Sequence, residues 1–135
     1  VVDAARPTVL MGASTVGGLF TKDVLEKMGK WNDRPIIMPL SNPTSKAECT
    51  AQEAADATQG RCIFSAGSPF DNVTAAGRTV IANQGNNFFI FPGLGLGTLL
   101  AKAGKVTDGM LLASAEALPR LVSPEESKAG RVFPT

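Results

Sequence analysis

The chain contains no histidine and no tyrosine. Without histidine the commonest general base is gone, and with it the Ser-His-Asp arrangement of the serine hydrolases. Lys, Asp, Glu and Cys remain as acid–base groups, and none of them clusters as a tuned site would. Cysteine is scarce: Cys49 and Cys62 stand too far apart for a CxxC pair, and nothing around them has metal-ligand spacing. Cys62 sits in an apolar run and reads as a small buried hydrophobe. No disulfide is expected, and a reducing compartment is the default. Charge of one sign is also missing, with a net charge of +1 at pH 7. That balance leaves no basic footprint for nucleic acid and no acidic tail. No apolar run approaches a membrane span, so no membrane partner is expected. The N-terminal Val1-Val2-Asp3-Ala4-Ala5-Arg6-Pro7 has neither the apolar core of a signal peptide nor an initiator methionine. The chain therefore reads as a piece of something longer, with any targeting region elsewhere; the cytoplasm is the expected location and the mitochondrion the alternative.

What is present is ordinary globular material. The chain's 135 residues are 44% hydrophobic and 19% charged, enough to bury a core as a single domain over 1–135.

The order of elements is legible. Thr8-Val9-Leu10-Met11 is a short, partly β-branched run ending at Gly12, as a buried parallel strand does. Thr21 stands where it can cap a helix running to about Trp31, with Val24, Leu25 and Met28 as the buried stripe. Ile36 to Leu40 is the next strand, and a short turn is expected over Ser45 to Glu48. Thr50-x-x-Glu53 is a capping box that opens a helix to about Ala57, stopped by Gly60. Cys62 to Ser65 reads as the third strand, Arg78 to Ala82 as a minor or edge strand, and Phe88-Phe89-Ile90-Phe91 as the fourth core strand. Helices are expected from near Pro92 to about Ala103 and over about Asp108 to Leu118. A further one opens at Ser123-Pro124-Glu125-Glu126, with an N-cap Ser, Pro at the first helical position and Glu at the third. Strands alternating with helices predict an α/β fold: a partial Rossmann-like, doubly wound, mostly parallel sheet with helices on both faces.

In such sheets ligands bind outside the carboxyl ends of the strands. Two segments fall there. Ser41-Asn42-Pro43-Thr44 follows the second strand, and the Asn42 carboxamide both donates and accepts hydrogen bonds, which suits a carboxamide or carboxylate ligand. Gly12-Ala13-Ser14-Thr15-Val16-Gly17-Gly18 joins the first strand to a helix and resembles the fingerprint G-x-G-x-x-G, with Ser14 in the second Gly position. The acidic residue that fingerprint expects at the end of the next strand is not there, since that strand runs into Leu40-Ser41-Asn42. The loop is thus either a wall against a cofactor or a plain tight turn, and not the main pyrophosphate site. Ser14 is no hydrolase nucleophile, because its spacing is G-x-S-x-x-G and no histidine activates it. Gly93-Leu94-Gly95-Leu96-Gly97 misses the fingerprint at Thr98 and reads as a helix start whose glycines allow close packing on the sheet. Gln84-Gly85-Asn86-Asn87 is a turn by composition, yet two asparagines beside apolar aromatics need partners, and beside Asn42 a ligand-binding reading gains. Gly67, after the third strand, either permits close ligand approach or makes a turn.

Taken together, these segments resemble the malic enzyme family. The resemblance runs nearly end to end and is carried by Arg6 to Gly12, Phe20-Thr21, Asn32 to Ile37, the string Ser41-Asn42-Pro43-Thr44-Ser45-Lys46-Ala47-Glu48-Cys49-Thr50, Gly60 to Phe64, Gly67 to Phe70, Gln84 to Asn87 and Phe91-Pro92-Gly93. It implies an enzyme that oxidises malate with NAD or NADP and decarboxylates the product to pyruvate, helped by a divalent metal, Mg or Mn. It implies a homo-oligomer, dimer or tetramer. It implies that Asn42 meets malate and the nicotinamide end of the cofactor, that Asn86 and its neighbour Asn87 meet malate, and that Gly12, Ala13 and Ser14 lie along the cofactor. The family's catalytic Tyr and Lys, its acidic metal ligands and its malate-gripping Arg are implied to lie upstream, so the chain alone is expected to hold no metal and to be inactive. One departure stands out. Ser65-Ala66-Gly67-Ser68 replaces the Ala-Ser-Gly-Ser of many relatives, which moves a hydroxyl to the opposite face of a strand. Two other readings of the same residues are a different nucleotide-binding oxidoreductase, amino-acid dehydrogenase-like, and a non-enzymatic interaction module.

Overall fold

The computed structural model describes residues 1–134 and divides into two compact units, Val1–Gly85 and Asn86–Thr135.

In the first unit a single-turn helix, α1 (Val2–Ala5), precedes strand β1 (Val9–Gly12), helix α2 (Lys22–Trp31) and strand β2 (Ile36–Pro39). A 3-10 turn over Thr44–Lys46 leads to α3 (Ala51–Ala57), β3 (Ile63–Ala66), the strands β4 (Val73–Ala75) and β5 (Arg78–Val80), and β6 (Ala82–Gln84). The main sheet has the order β1-β2-β3-β6 and is parallel throughout, with Leu10 beside Ile37, Ile37 beside Phe64 and Phe64 beside Ala82. β4 and β5 form a separate antiparallel pair.

Side-chain alternation explains the core. Leu10, Ile37 and Phe64 share one face of the sheet, where Ile37 and Phe64 are fully buried against Leu25 and Met28 of α2 and Ala51, Ala54 and Ala55 of α3. Phe64 meets Phe70 edge to face, centroids 5.7 Å apart. The other face is more open, with Val9 41% and Met11 62% exposed. Val24, expected in the stripe of α2, is only half-buried, and Gly29 takes a buried place beside Met28.

The helix starts follow local chemistry. Thr50 and Glu53 form the capping box at α3, with Thr50 N–H donating to Glu53 Oε2 at 2.8 Å and Glu53 N–H to Thr50 Oγ1 at 3.2 Å. Thr21 occupies the cap position of α2, but its side chain makes no capping bond. At the other end of α2, Arg61 donates to the carbonyls of Gly29, Asn32 and Asp33, at 2.6, 2.9 and 2.9 Å. One guanidinium thereby serves the carbonyls that the helix end leaves unpaired.

Two strand expectations are corrected here. Arg78 to Ala82 is not one edge strand: β5 ends at Val80 in the antiparallel pair, and β6 begins at Ala82. The fourth place in the parallel sheet goes to β6, not to Phe88–Phe91. Ala82-Asn83-Gln84 lacks the apolar signature of a strand, yet Asn83 is buried because its Nδ2 donates to Phe64 O at 2.9 Å. That partner lies 19 residues away, so no local signal announced it.

In the second unit the aromatic run is helical. Asn87–Phe89 is a 3-10 turn, followed by α4 (Phe91–Leu100), α5 (Asp108–Ala117), a further 3-10 turn over Leu118–Leu121, and α6 (Pro124–Ala129). The Asn86 side chain caps the first turn, and Pro92 sits in the opening positions of α4, where its missing N–H costs nothing. Apolarity alone does not distinguish strand from helix in so short a run. Phe89 stacks between Phe88 and Phe133, at centroid distances of 4.3 and 4.9 Å. The capping box at Ser123 and Glu126 forms as expected. A Cβ at Gly93, Gly95 or Gly97 would meet nothing within 4 Å. α4 and α5 bury no residue, and Leu99 and Leu100 are 73% and 74% exposed.

Candidate functional site

Because the main sheet is parallel, the segments after β1, β2 and β3 leave from one edge. Three side-chain clusters tie them together.

The first is built on Glu48, a carboxylate with 0% exposure. Its Oε1 accepts from Ser14 N–H at 3.0 Å, from the Ser14 hydroxyl at 2.9 Å and from the Ser41 hydroxyl at 2.5 Å; its Oε2 accepts from Ser41 N–H at 3.4 Å. Burial works against the charge, but the hydrogen bonds from Ser41 and Ser14 outweigh it and hold the carboxyl down at about 2. Gly12 makes room for this group: a Cβ there would lie 2.6 Å from Glu48 Cδ.

The second cluster extends the first. Thr15 N–H donates to Ser41 Oγ at 2.8 Å and Val16 N–H to Ser14 Oγ at 3.2 Å. Gly12, Ala13 and Ser14 thus form a tight loop held to the end of β2, with Ala13 and Ser14 at the surface.

The third holds Asn42. The Ser68 hydroxyl donates to Asn42 Oδ1 at 2.6 Å, while Asn42 Nδ2 makes only a 3.5 Å contact with Leu40 O. The carboxamide is exposed, half-buried Leu40 and buried Ser41 precede it, and the Asn42–Pro43 peptide bond is cis. The fixed oxygen leaves the NH2 group as the end offered to a ligand, so the matching ligand atom is an acceptor. Gly67 belongs to the same corner. Its N–H donates to Pro39 O at 3.0 Å, and a Cβ on it would meet Leu40 O and Asn42 Nδ2 at 2.2 and 2.9 Å.

The structure therefore brings Gly12, Ala13, Ser14, Asn42 and Gly67 to one sheet edge. Asn86 and Asn87 belong to the second unit, where Asn86 Oδ1 accepts from Phe88 N–H at 3.0 Å and Asn87 opens the 3-10 turn. Three residues missed in the sequence complete the edge: Glu48, Ser41 and Ser68. The available signal, for Glu48 alone, was a charge flanked by the small apolar residues Ala47 and Cys49.

Ser65, the departure noted above, is 1% exposed and its hydroxyl has no hydrogen-bond partner among the described residues. Cys49 and Cys62 are free and buried, and burial pushes the Cys49 thiol up to about 12 and the Cys62 thiol in the same direction. A groove of about 470 Å³ lies between the start of α2 and α3, lined by Phe20, Leu25, Glu53 and Asp56 among others, and none of the expected site residues lines it. Among the described residues no three His, Cys, Asp or Glu side chains gather to hold a metal ion, so these residues do not fit a divalent cation. No helix among them is long and apolar enough to cross a membrane.

A parallel α/β sheet with a glycine loop after its first strand and polar groups at its carboxyl edge defines the dinucleotide-binding class of domain. Residues 1–135 match the family model described as the malic enzyme, NAD binding domain. The chain belongs to that family. It is 52% identical over 98% of its length to the NADP-dependent malic enzyme of Vitis vinifera, and 46% identical over 99% of its length to that of Dictyostelium discoideum. With NADP-dependent malic enzyme 2 of Arabidopsis thaliana the identity is 52% over 98% of the chain. The chain spans 22%, 25% and 23% of those relatives, respectively.

Proposed function

We propose that the chain forms part of the cofactor- and substrate-binding wall of an NADP-dependent malic enzyme that converts malate to pyruvate and CO2. The orientation of Asn42 carries this reading: an exposed carboxamide at a strand's carboxyl edge, its oxygen held by Ser68 so that its NH2 group is the end left for a ligand acceptor. A carboxylate of malate or the carbonyl of the nicotinamide amide is such an acceptor. NADP, when bound, would supply the hydride acceptor, and transfer would require substrate and ring to be held at near-attack distance. Asn42 serves that by orientation, since an amide does not exchange protons usefully near neutral pH. Asn86 and Asn87 would complete the malate contacts, and Gly12, Ala13 and Ser14 would line the cofactor. NADP rather than NAD is favoured because the similar enzymes are NADP-dependent. Proton transfer and metal binding would fall to residues outside this chain, so the 135 residues alone would turn over no malate. A cytoplasmic homo-oligomer is the form proposed for the whole enzyme.

Replacing Asn42 with Ala in the complete enzyme tests this. The expected result is a fall of about 100-fold in kcat/KM for malate with the fold retained. An unchanged kcat/KM would overturn the assignment.

A further inference from the structure

Loops that grip phosphate do so with successive backbone N–H groups turned toward the ligand. The loop after β1 has three such groups in a row, and all three are spent inside the protein. Ser14 N–H goes to Glu48 Oε1, Thr15 N–H to Ser41 Oγ and Val16 N–H to Ser14 Oγ. The anion in this loop is the protein's own carboxylate. The same carboxylate also takes the hydroxyls of Ser14 and Ser41, so it joins the loop to the residue immediately before Asn42.

We propose that Glu48 is a positioning residue of this sheet edge: it takes the Ser14 amide and holds the Ser14 and Ser41 hydroxyls that take the next two, and so makes that wall one that receives a ligand portion without phosphate. This rests on the reading of the edge as a dinucleotide site, in which the portion without phosphate is the nicotinamide and its adjoining ribose carbon frame. Gly12 belongs to the same device, because any side chain there would displace the carboxylate. The charge matters as well as the shape. Four donor contacts converge on two carboxylate oxygens, and a carboxamide offers only one oxygen to them.

The test compares wild type, Glu48→Ala and Glu48→Gln in the complete protein. Two quantities are measured: hydrogen exchange at the Ser14, Thr15 and Ser41 amides, and dissociation constants for NADP+ and for 2′-phospho-ADP-ribose, the same molecule without nicotinamide. In E48A, exchange at Ser14 and Thr15 should speed up by about tenfold or more, and NADP+ should bind about tenfold more weakly. Binding of 2′-phospho-ADP-ribose should stay within about twofold of wild type. E48Q should lie between, because one acceptor oxygen survives. Equal weakening of both ligands, or unchanged exchange in E48A, would overturn the proposal. Should E48A not fold, E48Q decides: about threefold faster exchange with a selective loss of NADP+ supports it, and wild-type behaviour overturns it. A wild type that binds neither ligand would sink the dinucleotide reading instead, while the exchange rates would still judge Glu48.

Discussion

Ser68 donates its hydroxyl proton to Asn42 Oδ1 across 2.6 Å, and this bond decides which end of the carboxamide faces outward. The two residues lie 26 positions apart, on the segments that follow β3 and β2. Ser68 is buried while Asn42 is exposed, so the buried partner orients the exposed one.

Removing that hydroxyl leaves the carboxamide free to rotate. Ser68→Ala in the complete enzyme should raise KM for malate about three- to tenfold and lower kcat by less, the cost of re-ordering one amide on binding. Steady-state kinetics with malate varied checks this. A wild-type KM would show that Asn42 is oriented by something else.

Glu48 makes the chain's stability depend on acid. Its carboxyl sits at about 2 in the folded chain against an ordinary 4.5. The unfolded chain therefore takes up the proton first as the pH falls. The stabilisation is complete above about 4.5 and is lost progressively between there and about 2. It is worth roughly 3 kcal/mol at neutral pH. Urea unfolding from pH 6 down to pH 2 should show this decline in wild type and a shallower one in Glu48→Gln.

Arg61 holds the end of α2 through three carbonyls. Arg61→Ala should lower the unfolding free energy by about 2 kcal/mol, since charge-assisted bonds to partly buried carbonyls are lost together. Arg61→Lys should restore little, because a single ammonium cannot reproduce the forked geometry. Urea midpoints for the three proteins check both statements.

Ser65 carries a buried hydroxyl with no partner among the described residues. Ser65→Ala removes an uncompensated polar group from the interior and should leave stability unchanged or raise it by up to about 1 kcal/mol. A loss of stability in thermal or urea unfolding would show that the hydroxyl is satisfied in solution.

Short-range chemistry was legible in the chain. The capping boxes at Thr50 and Ser123 need only residues three apart, and both form. β1, α2, β2, α3 and β3 fall within a residue or two of their expected places, because each apolar run is bounded by a cap, a glycine or a proline. The run Phe88–Phe91 failed as a strand because its apolarity fits either state, and the deciding terms were the Asn86 cap and Pro92. β6 escaped notice for the opposite reason: its Asn83 is stabilised by a partner in another strand.

By itself, the sequence determined the α/β class, the family and the strand-edge place of Asn42, since all three rest on residue order and local propensity. Tertiary structure alone decided what those residues present. The bond from Ser14 to Glu48 spans 34 positions and the bond from Ser68 to Asn42 spans 26. Only the folded sheet places such pairs within hydrogen-bonding distance. Burial then makes each bond count, because the Glu48 carboxylate and the Ser68 hydroxyl, withdrawn from water, must be met by the groups around them.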